Sequence, residues 1–177
     1  MGYRHTREEL LQGAVDAALE DGLHRLTFGR LATRLGVTDR AIVYYFPSKD
    51  DLVTQVLTVL GDRLVGVLAD AVSGGARDHR DLVARAWPVL ARPQVDPLFA
   101  LYFEAVGLAT AGAEPYRSLA APLVAGWVDW FATVLVGTPA VRRREAEAAL
   151  ALVDGLLLLR QLAGPAAANR AAKVLVG

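Results

Sequence analysis

The chain has 177 residues, of which 54% are hydrophobic and 21% are charged, so it can bury a sizeable core and is not intrinsically disordered. It contains no cysteine, which excludes disulfides, thiolate metal sites and thiol nucleophiles. Its formal net charge is zero, which excludes the uniformly basic surface that many nucleic-acid-binding proteins carry.

The amino terminus is charged where a secretory signal would have its apolar run, so we expect a cytoplasmic protein. The apolar stretch at residues 118–141 is long enough for a membrane span, which needs about 20 residues. However, Asp129 lies at its centre and Pro122 interrupts its aliphatic character. We therefore predict a buried helix of a soluble protein here, with no membrane contact.

The first 50 residues predict three helices. Residues 6–9 have the form of a capping box, and apolar residues then repeat at helical spacing as far as Gly22. Thr27 begins a second, short helix that ends at Gly36, and Thr38 begins a third. Two short helices joined by a glycine turn are typical of a helix-turn-helix.

The rest of the chain is also predicted to be helical. A long helix begins after Ser48 and runs to about Val72. Further helices are expected near residues 82–91, 97–110, 116–136 and 140–163, followed by a short tail helix. The sequence therefore predicts an all-α protein, with a helix-turn-helix DNA-binding domain at residues 1–50 and a larger helical bundle for ligand binding and dimerisation at residues 51–177.

The helix that begins at Thr38 has two different faces. Ile42 and Phe46 are four residues apart, so they share a face that we expect to pack on the domain core. Val37 and Tyr45 lie near that face and are further core candidates, and Tyr45 can pack its ring there while its hydroxyl reaches DNA. The side chains expected to point away from the core are Thr38, Asp39, Arg40 and Tyr44.

The outward face offers groups that bind DNA, because the second helix of a helix-turn-helix lies in the major groove. Arg40 can present a bidentate fork to guanine or to phosphate. The Tyr44 hydroxyl can donate to a phosphate oxygen. Lys49 lies beside a helix N-terminus with free amides, so it completes a phosphate-binding corner.

Residues 6 to about 57 resemble the DNA-binding domain of TetR-family transcriptional regulators. The stretch LTFGRLATRLGVTDRAIVYYFPSKDDL carries the resemblance, above all Gly36-Val37-Thr38 followed by Tyr45-Phe46-Pro47-Ser48-Lys49. The resemblance implies DNA contacts from Thr27, Thr38, Asp39, Arg40, Tyr44, Tyr45 and Lys49. It also implies a small-molecule effector bound between the carboxy-terminal helices.

Two positions depart from the usual pattern of that family. Members usually carry Tyr at the position of Val43 and a small residue at the position of Arg40. Val43 removes a phosphate-binding hydroxyl, and Tyr44 is rotated by about 100° around the helix and cannot simply replace it.

The two short helices and Lys49 carry the cations Arg30, Arg34, Arg40 and Lys49 against the single acid Asp39. We expect a locally basic face whose DNA binding weakens with salt.

Large aromatic residues are concentrated in the carboxy-terminal part of the chain. They can form a bundle core, or they can line a mostly apolar effector pocket with a few polar groups. The residues assigned to such a pocket are Trp87, Phe99, Tyr102, Phe103, Glu104, Trp127, Trp130 and Phe131. The acids on these apolar segments are Glu104, Asp129 and Asp154. One of them near the pocket would suit a cationic effector, and an intrahelix or dimer contact would account for it equally well.

The last long helix and the tail helix carry more apolar surface than a monomer normally exposes. We therefore expect a homodimer through the carboxy-terminal helices. Such a dimer would present two recognition helices to a near-palindromic operator in double-stranded DNA. The expected function is that of a ligand-responsive transcriptional repressor with a small, largely apolar effector.

Two other classes of protein are alternatives. An enzyme is not indicated, because HExxH, GxxxxGK and GxGxxG motifs are missing, and His5, His24 and His79 are scattered. Neither a cofactor nor a metal is implied. A helical ligand-binding or scaffold dimer with weak or lost DNA binding is motivated by Val43 and by the zero net charge. Specific operator binding would distinguish the regulator from this scaffold.

Overall fold

A computed structural model describes residues 5–177, and the regular secondary structure of this part of the chain is helical apart from one isolated bridge. Its α-helices are α1 (Arg7–Asp21), α2 (Phe28–Leu35), α3 (Asp39–Tyr45), α4 (Lys49–Val72), α5 (His79–Leu90), α6 (Asp96–Thr110), α7 (Tyr116–Val134), α8 (Pro139–Ala163) and α9 (Pro165–Val176). Short 3-10 helices lie at Leu23–Arg25 and Pro93–Val95. The predicted all-α class is confirmed.

The predicted helix starts are confirmed in the first three helices. At α1, the Thr6 hydroxyl accepts a hydrogen bond from the Glu9 amide at 3.2 Å, and the Glu9 carboxylate accepts one from the Thr6 amide at 2.9 Å. Thr27 and Thr38 begin α2 and α3, and each hydroxyl accepts from an amide three residues on, at 3.3 Å. Gly36 ends α2 in the left-handed region, with φ of 66°, a conformation that costs glycine little.

Two helix bounds differ from the sequence prediction. Helix α5 begins at His79 rather than near Leu82, because the Asp78 carboxylate accepts from the amide of Asp81 at 2.9 Å and caps the helix there. Helix α7 ends at Val134, two residues earlier than predicted. The following backbone instead forms an isolated parallel bridge between Ala76 and Leu135.

The chain divides into two compact units, one formed by residues up to Arg63 with Glu104–Leu119, and the other by Leu64–Phe103 with Ala120–Gly177. In the amino-terminal unit, α1 packs on α2 and α2 packs on α3. Gly13 permits this packing, because a Cβ atom built there would lie 2.6 Å from a methyl carbon of Leu35. The predicted domain boundary at residue 50 stays a prediction.

The carboxy-terminal unit is a bundle in which α5, α8 and α9 pack against one another. Its core includes the fully buried side chains Leu82, Leu90, Phe131, Leu156 and Leu157. Arg160 is also buried, and its guanidinium forms two hydrogen bonds to the Asp96 carboxylate, at 2.6 and 2.9 Å. A planar fork of this kind satisfies the buried charge.

Helix α4 is long and apolar enough to cross a membrane by length and composition, and it is the one helix of residues 5–177 that meets these criteria. A core helix of a soluble protein meets the same criteria, so one such helix is weak evidence for a span. The buried side chains of Leu52, Val53, Val56 and Leu68 account for part of its apolar character.

Candidate nucleic-acid interface

Helix α3 separates a buried face from an exposed one. Ile42 and Phe46 are fully buried, whereas Tyr44 exposes 79% of its surface. Arg40 is also exposed and lies one turn before Tyr44, so the two side chains share an outward face. The predicted burial of Ile42 and Phe46 and the predicted display of Tyr44 are confirmed, whereas the core candidates Val37 and Tyr45 are only half-buried.

Tyr45 lies at the border between these two faces. It is half-buried, and its ring packs edge-on against the ring of Tyr44, with centroids 4.9 Å apart and an interplanar angle of 87°. Val43 is 43% exposed, so the position where the family usually has Tyr is open to solvent here. Val37, a predicted neighbour of the core, is half-buried.

The helix starts around α3 place further polar groups at the surface. Thr27 and Thr38 are exposed caps whose hydroxyl oxygens accept backbone amides, so each O–H is left to donate to an outside acceptor. The Ser48 hydroxyl accepts from the Asp51 amide at 3.0 Å. Lys49 is exposed and is the first residue of α4, where helix amides and the macrodipole favour an anion.

The charge on this surface is lower than the sequence count implied. Arg34 donates to the carboxylate of Glu20 at 2.8 Å. Glu20 lies on α1, so a count of charges on the two short helices alone does not include it. Within residues 5–177, Arg30, Arg40 and Lys49 form no ion pair. Asp39 is exposed at the start of α3. Three cations thus remain for phosphate.

The carboxy-terminal unit contains a small cavity of about 40 Å³ that is partly open to solvent. Phe99, Tyr102, Trp127 and Phe131, all predicted for a pocket, line it. Sequence reasoning did not assign the aliphatic part of the lining, which consists of Leu64, Leu68, Leu90, Leu150, Val153 and Leu157. Asp154 also lines the cavity, and the sequence marked it only as one of three acids on apolar segments.

The other residues predicted for the pocket lie elsewhere, and their ligand role stays a prediction. Trp87 is buried and donates its indole N–H to the side-chain oxygen of Asn169 at 2.9 Å. Phe103 and Trp130 are half-buried and pack against the bundle core. The Glu104 carboxylate accepts from the amides of Leu23 and His24, at 2.9 and 2.8 Å.

Tyr102 and Asp154, which both line the cavity, are hydrogen-bonded to each other. The Tyr102 hydroxyl donates to the Asp154 carboxylate at 3.1 Å. Burial raises the pKa of Asp154, and this effect exceeds the lowering by the Tyr102 hydrogen bond. Burial and the neighbouring Asp154 charge raise the pKa of Tyr102, so its hydroxyl keeps its proton. The cavity is therefore an apolar, aromatic space with one acidic corner.

The amino-terminal part of the chain resembles known bacterial regulators. Residues 10–56 match the model of the family described as bacterial regulatory proteins, tetR family. Over 83 residues the chain is 30% identical to the nucleoid occlusion factor SlmA of Photorhabdus laumondii, a match that covers 46% of this chain and 40% of that protein. The chain thus spans about two fifths of the length of the curated relatives it matches.

Solved structures extend the likeness to the whole fold. A transcriptional regulator from Rhodococcus sp. Rha1 has a TM-score of 0.74 and 25% identity, over 98% of this chain and 95% of that one. A protein described as a transcriptional regulator from Saccharomonospora viridis, solved in complex with choline, has a TM-score of 0.69 and 18% identity, over 96% and 92%. At that identity the second likeness shows the fold alone. Residues 10–56 therefore match the amino-terminal domain of the tetR family of bacterial regulatory proteins, and the described chain has the all-helical fold of the solved regulator from Rhodococcus sp. Rha1.

Proposed function

We propose that the protein is a cytoplasmic transcriptional repressor that binds a near-palindromic operator as a homodimer and is released from it by a small-molecule effector. The observation that carries this proposal is the outward face of α3. Arg40 and Tyr44 are exposed there, and the opposite face is anchored by the fully buried Ile42 and Phe46. All four residues lie within the segment that matches the family.

The groups on this face suit double-stranded DNA. Arg40 donates to guanine or to phosphate, and the Tyr44 hydroxyl donates to phosphate. Thr27 and Thr38 offer hydroxyl donors at helix starts, and Lys49 adds a charge beside free amides. Asp39 is exposed at the start of the same helix, and Tyr45 is half-buried beside Tyr44.

The homodimer is proposed to form through α8 and α9. Leu162 on α8 and Val174 on α9 are 79% and 83% exposed, and Leu158 and Leu175 are also exposed. A two-fold pairing of these helices would remove this apolar surface from water. Leu162→Asp is expected to yield monomers in light scattering, whereas Val136→Asp, an equally polar change at an exposed site outside these helices, leaves the dimer intact.

Helix α4 is the proposed route from the effector to DNA. It begins at Lys49, and further along the same helix Leu64 and Leu68 line the cavity. A ligand in the cavity contacts these leucines and biases α4 towards one of two positions, which changes the spacing of the recognition helices in the dimer. The choline complex of the similar Saccharomonospora viridis protein supports a small molecule as the effector.

The experiment that tests DNA binding is fluorescence anisotropy with DNA that flanks the gene, against scrambled DNA at two salt concentrations. We expect selective binding that weakens as salt rises. Arg40→Ala and Tyr44→Ala should each weaken it by about 10- to 100-fold. Arg80→Ala, which removes an exposed arginine of α5, is the charge-matched control and should have little effect. Equal effects of Arg40→Ala and Arg80→Ala would contradict the proposal.

A helical ligand-binding or scaffold dimer is the second candidate function. The observation that favours it is Val43, an exposed aliphatic side chain on the surface where the family usually has a phosphate-binding hydroxyl. In that case the dimer would form normally, but selective DNA binding would be absent even at low salt. The same anisotropy measurement therefore distinguishes the two functions.

A further inference from the structure

The acidic corner of the cavity in the carboxy-terminal unit has no cationic partner within the protein. The Asp154 carboxylate accepts one hydrogen bond, from the Tyr102 hydroxyl at 3.1 Å. Across residues 5–177, no Arg, Lys or His nitrogen lies within ion-pair distance of it. When Asp154 is ionised, its negative charge therefore has no compensating cation beside this apolar space.

Three other partly buried acids of the same unit are paired with basic side chains. Their pairs are Asp81 with Arg85 at 3.2 Å, Asp96 with Arg160 at 2.6 Å and Glu145 with His79 at 2.6 Å. A fourth, Asp78, accepts from the Asp81 amide at the start of α5, where the helix N-terminus favours an anion. Asp154 has neither kind of partner, although burying an unpaired charge costs free energy. An ionised Asp154 thus destabilises the bundle, and a cationic ligand in this cavity would compensate its charge.

The walls around this charge also suit a cation. Phe99, Trp127 and Phe131 present aromatic rings to the cavity, and ring faces attract a desolvated cation. The remaining lining is aliphatic, so it accepts apolar substituents but provides no donor for an anion. An anionic effector would be repelled by an ionised Asp154 and would find few donors here besides the indole N–H of Trp127.

We infer that the cavity binds an organic monocation, a quaternary or protonated amine with apolar substituents, and that Asp154 is its counter-ion. Tyr102 positions the Asp154 carboxylate through their hydrogen bond. The cation supplies the missing positive charge, and the aromatic and aliphatic walls bury its substituents. This inference rests on the proposed function only in taking the cavity as the effector site.

The test compares cations with neutral molecules of the same shape. Choline and 3,3-dimethylbutan-1-ol differ in one atom, a positively charged nitrogen in place of a carbon. Benzyltrimethylammonium and neopentylbenzene form a larger pair with the same difference. In calorimetric titrations without DNA, each cation should bind at least about tenfold more tightly than its neutral counterpart.

Two variants test whether the Asp154 charge causes the tighter binding of cations. Asp154→Asn keeps an acceptor for the Tyr102 hydroxyl but removes the charge, and we expect cation binding to weaken by about 10- to 100-fold. Asp129→Asn makes the same change at an exposed acid outside the cavity, so it should leave binding unchanged. A thermal unfolding curve for each variant shows whether it is folded. Equal affinity for cation and neutral isostere, no binding of either cation at about 10 mM, or full affinity in a folded Asp154→Asn variant would each overturn the inference.

Operator binding, measured separately, keeps the two proposals distinguishable. If cations bind through Asp154 but operator affinity stays unchanged, the ligand class stands and the proposed release from DNA fails. If the operator is bound and a neutral molecule alone releases the protein, the proposed function stands and the cation inference fails.

Discussion

The two compact units present their candidate sites in opposite ways. In the amino-terminal unit the proposed DNA-binding groups are exposed, with Arg40 and Tyr44 pointing away from a core built on Ile42 and Phe46. In the carboxy-terminal unit the candidate site is a cavity, and its acidic group at Asp154 is held by a residue 52 positions away in sequence. An exposed site can change chemically at little cost in stability, whereas a buried site shares its residues with the core.

The strongest test of this contrast is Phe46→Ala against Tyr44→Ala. Phe46 is fully buried, so its truncation should lower the free energy of unfolding by about 3–5 kcal/mol and abolish DNA binding together with the fold. Tyr44→Ala should change stability by less than about 0.5 kcal/mol while it weakens DNA binding. Chemical unfolding of both variants, beside anisotropy, measures the two effects. Comparable destabilisation by the two substitutions would remove the distinction between the faces.

A second test concerns charge in the bundle. Asp96→Ala leaves the buried Arg160 guanidinium without its carboxylate, and we expect a loss of about 2–3 kcal/mol, less than for a fully buried pair because Asp96 is partly exposed. Asp129→Ala breaks the exposed pair with Arg143, which should cost less than about 0.5 kcal/mol. Unfolding midpoints give the comparison. If the Asp129 variant is the less stable of the two, burial does not determine how much these ion pairs contribute to the free energy of unfolding.

A third test uses pH in the amino-terminal unit. Burial would raise the pKa of Glu104, but hydrogen bonds from the His24 and Leu23 amides and from the His24 ring outweigh it and hold that pKa below its ordinary value of 4.5. An acid with a lowered pKa stabilises the fold above its unfolded-state pKa, and that contribution is lost as pH falls through the folded-state pKa. Glu104→Gln should therefore cost about 1 kcal/mol at pH 7 and much less in acid.

Thermal unfolding of wild type and Glu104→Gln between about pH 7 and pH 3 measures this difference. Glu147→Gln, the same change at an exposed acid, is the control and should show no such trend. A stability gap for Glu104→Gln that stays constant across this range would contradict a role for its ionised form.

The smallest expected effect is a gain in DNA affinity from a change on the exposed face of α3, and this prediction rests on the proposed function. Val43→Tyr returns a hydroxyl to a position that is open to solvent, so DNA affinity should rise by about three- to tenfold while stability changes by less than about 0.5 kcal/mol. Val124→Tyr, at an exposed position of α7, controls for the added ring. Unchanged affinity would mean that Arg40 and Tyr44 already satisfy the phosphates that the added hydroxyl would reach.

Most of the amino-terminal unit was predictable from the sequence, because its signals are local. The Thr6, Thr27 and Thr38 caps act over three residues, and the buried and exposed faces of α3 follow from a four-residue spacing. The family resemblance rests on the same short segment and was confirmed. The pairing of Arg34 with Glu20 was missed, because it joins two helices.

The sequence by itself thus determined the all-α class, most helix bounds and the faces of α3, since each depends on residues within one or two turns of each other. Only the tertiary structure decided which aromatics line the cavity, that Asp154 lies beside them, and that Glu104 holds the Leu23–His24 backbone instead. Core and cavity positions of a bundle share one helical period. The sequence therefore cannot distinguish a core position from a cavity position, because contacts between residues that are distant along the chain decide which of the two a side chain occupies.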